Sequence, residues 1–422
     1  MAIATAMPMW DKTLHEVPRA EFSNRIERVR KFCVENDLSG VIVYSQPSVH
    51  QWSQTGHVGY LTNWASLDRV TDTMVLVPRD GEATFLIAGL DYMLDQLEPV
   101  SWMEDIRMVA SPDPRAIAAA FTTEATRGEA APAVNTFGQE AYKILKATGS
   151  AGRPIAISGM EAMSIALYRD IETSIADGIA DTIDIVAELR SIKTPGEISL
   201  LRKVASISDR AYETMVDVLE DGMLGYELMA ELDRSARADG GDMVYHCIHW
   251  APNGDLERGH LSIKPLDQPL RAGDYINVNA YVVYKGYWIQ SDRWGTIGPK
   301  FEGSARAICD ANMSVQDEVL SAIRPGLLVS EMLDMSNRAA EKLGYEIQGG
   351  RIGHGQGLDY SEEPFLMEGS DRVLQPGNVF VLHTCLGVPG SNILVNPIAD
   401  LCHVTEDGVE VLNSFQREYF HA

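Results

Sequence analysis

A mixed α/β chain of two units is the fold class this sequence predicts, and three observations predict it. Over the first ~170 residues, helical and strand patterns alternate in short blocks, the signature of a small α/β unit. Near residue 180 the pattern changes to one long, strongly periodic helical stretch. Beyond it, further helices alternate with runs of strands rich in Val and Tyr. We set the units at residues 1–178 and 179–422.

The elements follow in order. "RAEFSNRIERVRKFCVENDLSG" carries apolar residues at helical spacing and stops at Gly40. "VIVYS" (41–45) is a short buried strand, and "DTMVLVPRDGEATFLIA" reads as strand, Asp-Gly turn, strand. "PIAISG" (154–159) is another strand, with "MEAMSIALYRDI" the helix after it. The helical stretch 181–220 is broken once, at Thr194-Pro195-Gly196. There Thr194 can cap a second helix with Pro195 in its first turn and Glu197 three residues on. Strands are expected over 274–298, helices over 302–343, and strands at 378–384 and 400–412.

Composition excludes several classes. The chain has 35 basic and 60 acidic residues, a net charge of −25, which repels nucleic acid and anionic lipid and suits a cationic or zwitterionic small molecule. No apolar run is long enough to span a membrane, and the start lacks a basic segment followed by an apolar one, so we expect a cytoplasmic protein. The five cysteines (Cys33, Cys247, Cys309, Cys385, Cys402) are odd in number and scattered, as in a reduced protein without a disulfide frame.

Six blocks then resemble one known group in the same order: "LRSIKTPGEISLLRKVASISDRAY", "LRAGDYINVNAYVVYKGYWIQSDRWGTIG", "IRPGLLVSEM", "GRIGHGQGLDYSEEP", "LQPGNVFVLHTC" and "ADLCHVTEDGVEVL". They are similar to the creatinase/aminopeptidase P/prolidase, or "pita-bread", superfamily. The resemblance implies an N-terminal creatinase-like α/β domain, then a C-terminal pita-bread domain with a curved antiparallel sheet, flanking helices and a pocket in its concavity. It also implies a homodimer in which the partner's N-terminal domain covers the active site. The metallopeptidases of this group bind two divalent cations through two aspartates, a histidine and two glutamates. Carried over one position at a time, those places are Asn279, Gln290, His354, His383, and Ala399 or its neighbour Asp400. Hard cations need anionic oxygens, so the resemblance implies no metal and no other cofactor here.

What remains resembles the metal-free creatinase-like or ectoine-hydrolase-like branch. His260, in "NGDLERGHLSIKPL", falls where that branch places its general acid/base, and imidazole is the side chain suited to take a proton near neutral pH. Asp292 falls where creatinase carries a substrate-binding glutamate. It either anchors a cationic substrate, attacks it, or pairs with Arg293. His383 can donate to an oxyanion or relay a proton, and His354 can help hold it. Asn279, Gln290, Arg293, Tyr360 and Glu362 are further candidates for substrate contact, and Trp288 for a pocket wall. In "GYLTNWASLDRV", Trp64 and Arg69 are candidates, Arg69 as a carboxylate clamp. The expected function is metal-independent hydrolysis of a C–N bond (amidine, cyclic amidine or amide) in a small polar molecule. The alternatives are a non-catalytic peptide-binding module and a metal-dependent Xaa-Pro peptidase.

Overall fold

The computed structural model describes residues 16–45, 56–64, 72–88, 101–113, 134–262, 267–298 and 304–422, with the backbone alone at 260–262. It divides into two compact units, Met1–Arg190 and Ser191–Ala422.

The first unit contains α1 (Arg19–Glu35), β1 (Gly40–Ser45), α2 (Gly56–Thr62), β2 (Thr73–Pro78), β3 (Thr84–Ala88), β4 (Ile106–Val109), α3 (Phe137–Ala147), β5 (Ala156–Ser158), α4 (Ile165–Ser174) and α5, which starts at Ile185 and ends at Ser191. The sheet runs β4-β3-β2-β1-β5. β2 and β3 pair antiparallel across the Asp80-Gly81 turn, where Gly81 has φ +99°, a value that residues with a Cβ rarely adopt. Leu76, Leu86, Phe137, Ile144 and Ile171 close the core between this sheet and its helices.

The second unit opens with α6 (Pro195–Val218), and Thr194 and Glu197 form the expected capping box at its start. There follow α7 (Gly225–Ala238), β6 (Met243–Ala251), β7 (His260–Ser262), β8 (Tyr275–Tyr284), β9 (Tyr287–Thr296), α8 (Ser304–Ala322) and α9 (Val329–Lys342). The chain ends with β10 (Glu346–Ile347), β11 (Arg351–Gly355), β12 (Glu362–Met367), β13 (Val379–Leu382), β14 (Leu386–Gly387), β15 (Leu394–Val395), β16 (Asp400–Val404), β17 (Val409–Val411) and β18 (Phe420–His421).

Two five-stranded sheets dominate this unit, ordered β18-β9-β8-β6-β7 and β12-β11-β13-β16-β17. Helix α6 covers the back of the first, where Tyr212 Oη donates to the Ser291 carbonyl at 2.7 Å. Helices α8 and α9 cover the second through Val319, Met332, Phe380 and Leu382. A seam joins the two. The outward N–H groups of β9 are met by the Gly357 carbonyl at Trp288 (2.8 Å), by Gln356 Oε1 at Gln290 (3.0 Å) and by the Ala399 carbonyl at Asp292 (3.2 Å). A row of strand donors that would otherwise be an open edge is thereby satisfied, and the first sheet is tied to the strand ends of the second.

Candidate active site

Strand alternation decides which residues meet. Residues directly opposite in a ladder share a face, and neighbours along a strand do not. β8 and β9 pair Asn277 with Trp294, Asn279 with Asp292 and Tyr281 with Gln290, while β6 brings Cys247 opposite Asn279. Cys247, Asn279, Tyr281, Gln290 and Asp292 therefore lie together on the face away from α6. Arg293 is next to Asp292 in sequence and so lies on the opposite face.

Arg293 is fully buried there. Its Nη1 donates to the carbonyls of Asp292 (2.8 Å) and Ala399 (3.0 Å), and its Nη2 donates to Asp400 Oδ1 (2.8 Å) and the Phe415 carbonyl (3.2 Å). These contacts give Arg293 a positioning role behind the site. The carboxylate it pairs with is that of Asp400, and Asp292 is left for other partners.

Asp292 is completely buried. Asn279 Nδ2 donates to its Oδ1 at 2.5 Å, and Asn396 Nδ2 donates to its Oδ2. Burial raises its pKa to about 8, against the opposing pull of the Asn279 hydrogen bond and the Arg293 charge. Beside it, Tyr360 Oη donates to Gln290 Oε1 at 2.8 Å. The Tyr360 ring lies 5.6 Å from that of Tyr281 and 6.1 Å from that of Trp288, forming one aromatic wall. The charge of Asp292 is felt at Tyr281, Tyr360, Cys247 and Cys385.

The second sheet supplies the histidines. His354 lies opposite Val381, and His383 follows β13 two residues on, which makes the two imidazoles diagonal neighbours with ring centroids 5.4 Å apart. His354 stacks 5.0 Å from Tyr360, which ties the histidines to the first sheet's cluster. His354 Nδ1 donates to the Gly355 carbonyl at 3.1 Å. Its Nε2, and both ring nitrogens of His383, are buried without a hydrogen-bond partner among the described residues. Each such orphan costs ~1–3 kcal/mol, which a ligand's polar groups would recover. Burial pushes His354 down to about 4 and His383 well below the usual histidine range, so both rings are neutral at pH 7.

The position left open between Ala399 and Asp400 is settled by the seam. Asp292 forms an isolated antiparallel bridge with Ala399, which puts Ala399 on the cavity side. Asp400 faces away and accepts hydrogen bonds from Arg293 and, at 2.7 Å, from Arg417 Nε. The five expected ligand places thus offer two amides, two neutral imidazoles and a methyl group. None carries negative charge, and the nearby Asp292 carboxylate is engaged by two amides. Among the described residues, no group of three or more His, Cys, Asp or Glu is placed to hold a metal ion. A pair of divalent cations does not fit this donor set.

The remaining candidates lie as follows. Glu362 is tied up in a buried ion pair with Lys193, 2.7 Å apart, and also accepts from the Asp359 amide, so it is committed to holding the 356–362 loop. His260 pairs through its backbone with Trp250, and its side chain lies outside the described residues, as does the whole of Arg69. Trp64 belongs to the first unit, where its amide donates to Thr62 Oγ1 at 3.0 Å. Four cavity residues escaped the sequence reading: Cys247, Tyr281, Asn396 and Gln356. Tyr281 could have been found by counting two from Asn279, whereas Asn396, in a loop 104 residues beyond Asp292, gave no local signal.

The model of metallopeptidase family M24 matches residues 199–408. The Xaa-Pro dipeptidase of Pyrococcus furiosus is 23% identical over 402 residues, covering 93% of this chain and 99% of that one. A Mycobacterium tuberculosis protein named Probable dipeptidase PepE is 30% identical over 240 residues, 56% of this chain and 62% of that one. The solved Xaa-Pro dipeptidase from Bacillus anthracis superposes with a TM-score of 0.74 at 22% identity, covering 95% of this chain and all of that one. Residues 199–408 are thus similar to the M24 family, and the whole chain has the two-domain pita-bread fold of these solved structures. The relatives named here carry peptidase names, so the finer assignment to a metal-free branch has to come from this chain's own residues. Among the described residues, no helix is long and apolar enough to cross a membrane.

Proposed function

We propose that this protein is a metal-independent hydrolase that cleaves a C–N bond, in an amidine, cyclic amidine or amide, of a small polar molecule. One observation carries the reading. Every place where the family's peptidases would bind metal is occupied here by a neutral group, while a fully buried carboxylate, Asp292, stands in their midst. In this reading water adds its oxygen to the carbon, the C–N bond breaks, and the departing nitrogen takes a proton. Asp292 anchors the cationic end or attacks the carbon, and His260 moves the proton from water to the leaving nitrogen. The neutral ring of His383 offers an N–H donor to charge developing on the substrate, and His354, whose Nδ1 proton goes to the Gly355 carbonyl, presents Nε2 as an acceptor. Gln290, fixed by Tyr360, orients the polar groups opposite.

A peptidase is the second reading, favoured by the names of the relatives. Its demand for anionic metal ligands is what the donor set opposes. The two are separated by offering cyclic amidines, amides, ureas and guanidino acids beside Xaa-Pro dipeptides in chelator-containing buffer. We expect turnover in the first group, reduced by ~10²–10⁴-fold in His260→Ala with the fold intact by circular dichroism. Turnover confined to the dipeptides, and only after added metal, would refute the proposal.

A further inference from the structure

We propose that Arg351 recognises a carboxylate on the substrate, from the face of β11 that also carries His354, beside the buried cluster of Asp292, His354 and His383. The inference rests on the hydrolase reading only for what that cavity does.

The geometry begins with a register fault. Arg351 precedes His354 by three residues, and in a regular strand side chains three apart point to opposite faces. β11 is not regular. Its partners on β12 are Met367 for Arg351, Leu366 for Gly353 and Phe365 for His354, so β11 gains one extra residue between Arg351 and Gly353. Met367 and Phe365 are two apart and share a face, so the residues opposite them, Arg351 and His354, share it too. A bulge of this kind re-aims a side chain, and such bulges are common beside active sites. It is built around a residue without a side chain: a Cβ at Gly353 would lie 2.1 Å from the Val381 carbonyl oxygen.

The chemistry of the re-aimed group follows. Arg351 is solvent-exposed, and among the described residues no hydrogen-bond or ion-pair partner holds its guanidinium. Its charge is nonetheless felt at His354, His383, Tyr360 and Cys385, which places it within electrostatic reach of the cavity. Burial keeps Asp292 largely protonated near neutral pH, and the imidazoles are uncharged, so neither supplies a positive charge. The guanidinium is thus a cation open to a carboxylate on this face, and its planar fork matches that group in two parallel hydrogen bonds. A substrate carrying both a C–N centre and a carboxylate would enter in one orientation, with the carboxylate outermost.

The test reads binding without turnover. Matched probes are N-acetylglycine with N-acetylglycinamide, N-acetyl-β-alanine with its amide, and propionate with propionamide, titrated into the full chain by NMR. We expect at least one carboxylate to bind about tenfold tighter than its amide. Arg351→Gln should reduce that ratio to about twofold or less without weakening the amide, and Arg351→Lys should keep part of it. A wild type that prefers no carboxylate, or a preference that survives Arg351→Gln, overturns the inference. Because no bond is broken in this measurement, its failure is distinct from failure of the hydrolase reading, which is judged by turnover in the Asp292 and His260 variants.

Discussion

Asp292→Asn lowers kcat/KM by about 10³-fold or more on any substrate the protein turns over, equivalent to ~4 kcal/mol of lost transition-state stabilisation. The reason is local. With His354 and His383 held neutral and amides at positions 279 and 290, Asp292 is the cavity group best able to carry negative charge. The same substitution has a stability signature of known sign. Folding raises this carboxyl from its ordinary value near 4 to about 8, so over that range the folded state holds a proton that the unfolded chain releases. Stability conferred by the neutral acid is complete below pH ~4, falls as pH climbs, and is gone once the folded group ionises. Urea unfolding at pH 5 and pH 9 should show the wild type losing on the order of a few kcal/mol relative to Asp292→Asn. If Asp292 acts ionised, turnover also rises through pH ~8. A variant within tenfold of wild-type activity, with a parallel pH dependence of stability, would remove Asp292 from the mechanism.

Arg293→Met destabilises the protein by about 3–5 kcal/mol, the usual result of removing one partner of a buried ion pair. Asp400, with no solvent exposure, would keep Arg417 alone, the carbonyls of Asp292 and Ala399 would keep only each other's backbone N–H, and the Phe415 carbonyl would lose the Arg293 donor. Those carbonyls lie on both sides of the seam, so the loss reaches the ground on which Asp292 stands. Replacing both partners, Arg293→Met with Asp400→Leu, should recover part of the loss, because no unpaired carboxylate is then left facing the vacated site. Urea midpoints measure both. A single-variant loss under ~1 kcal/mol would mean that the pair does not hold the seam.

How much of this was legible in the sequence follows from what a sequence can encode locally. The two-unit α/β class, the capping box at Thr194 and the hairpin at Asp80-Gly81 are set by neighbours a few residues apart, and each was readable. The shared face of Asn279, Gln290 and Asp292 was readable too, since strand period and hairpin register fix it. The same rule places Arg293 behind the site, against the expectation that it contacts substrate. Three features were beyond local reading. Whether Ala399 or Asp400 faces the cavity depends on a bridge to a strand more than 100 residues away. Glu362 is claimed by Lys193, 169 residues earlier. The bulge that turns Arg351 toward His354 appears only once β11 is laid against β12.

The central claim is that the family's metal-binding places have become a neutral polar cavity worked by protein side chains. The most direct test is elemental analysis and turnover on one and the same sample after exhaustive chelation. The account predicts full activity with less than ~0.1 equivalent of iron, manganese, cobalt or zinc per chain. Activity that disappears with the metal, and returns with one or two equivalents of a divalent ion, would contradict it.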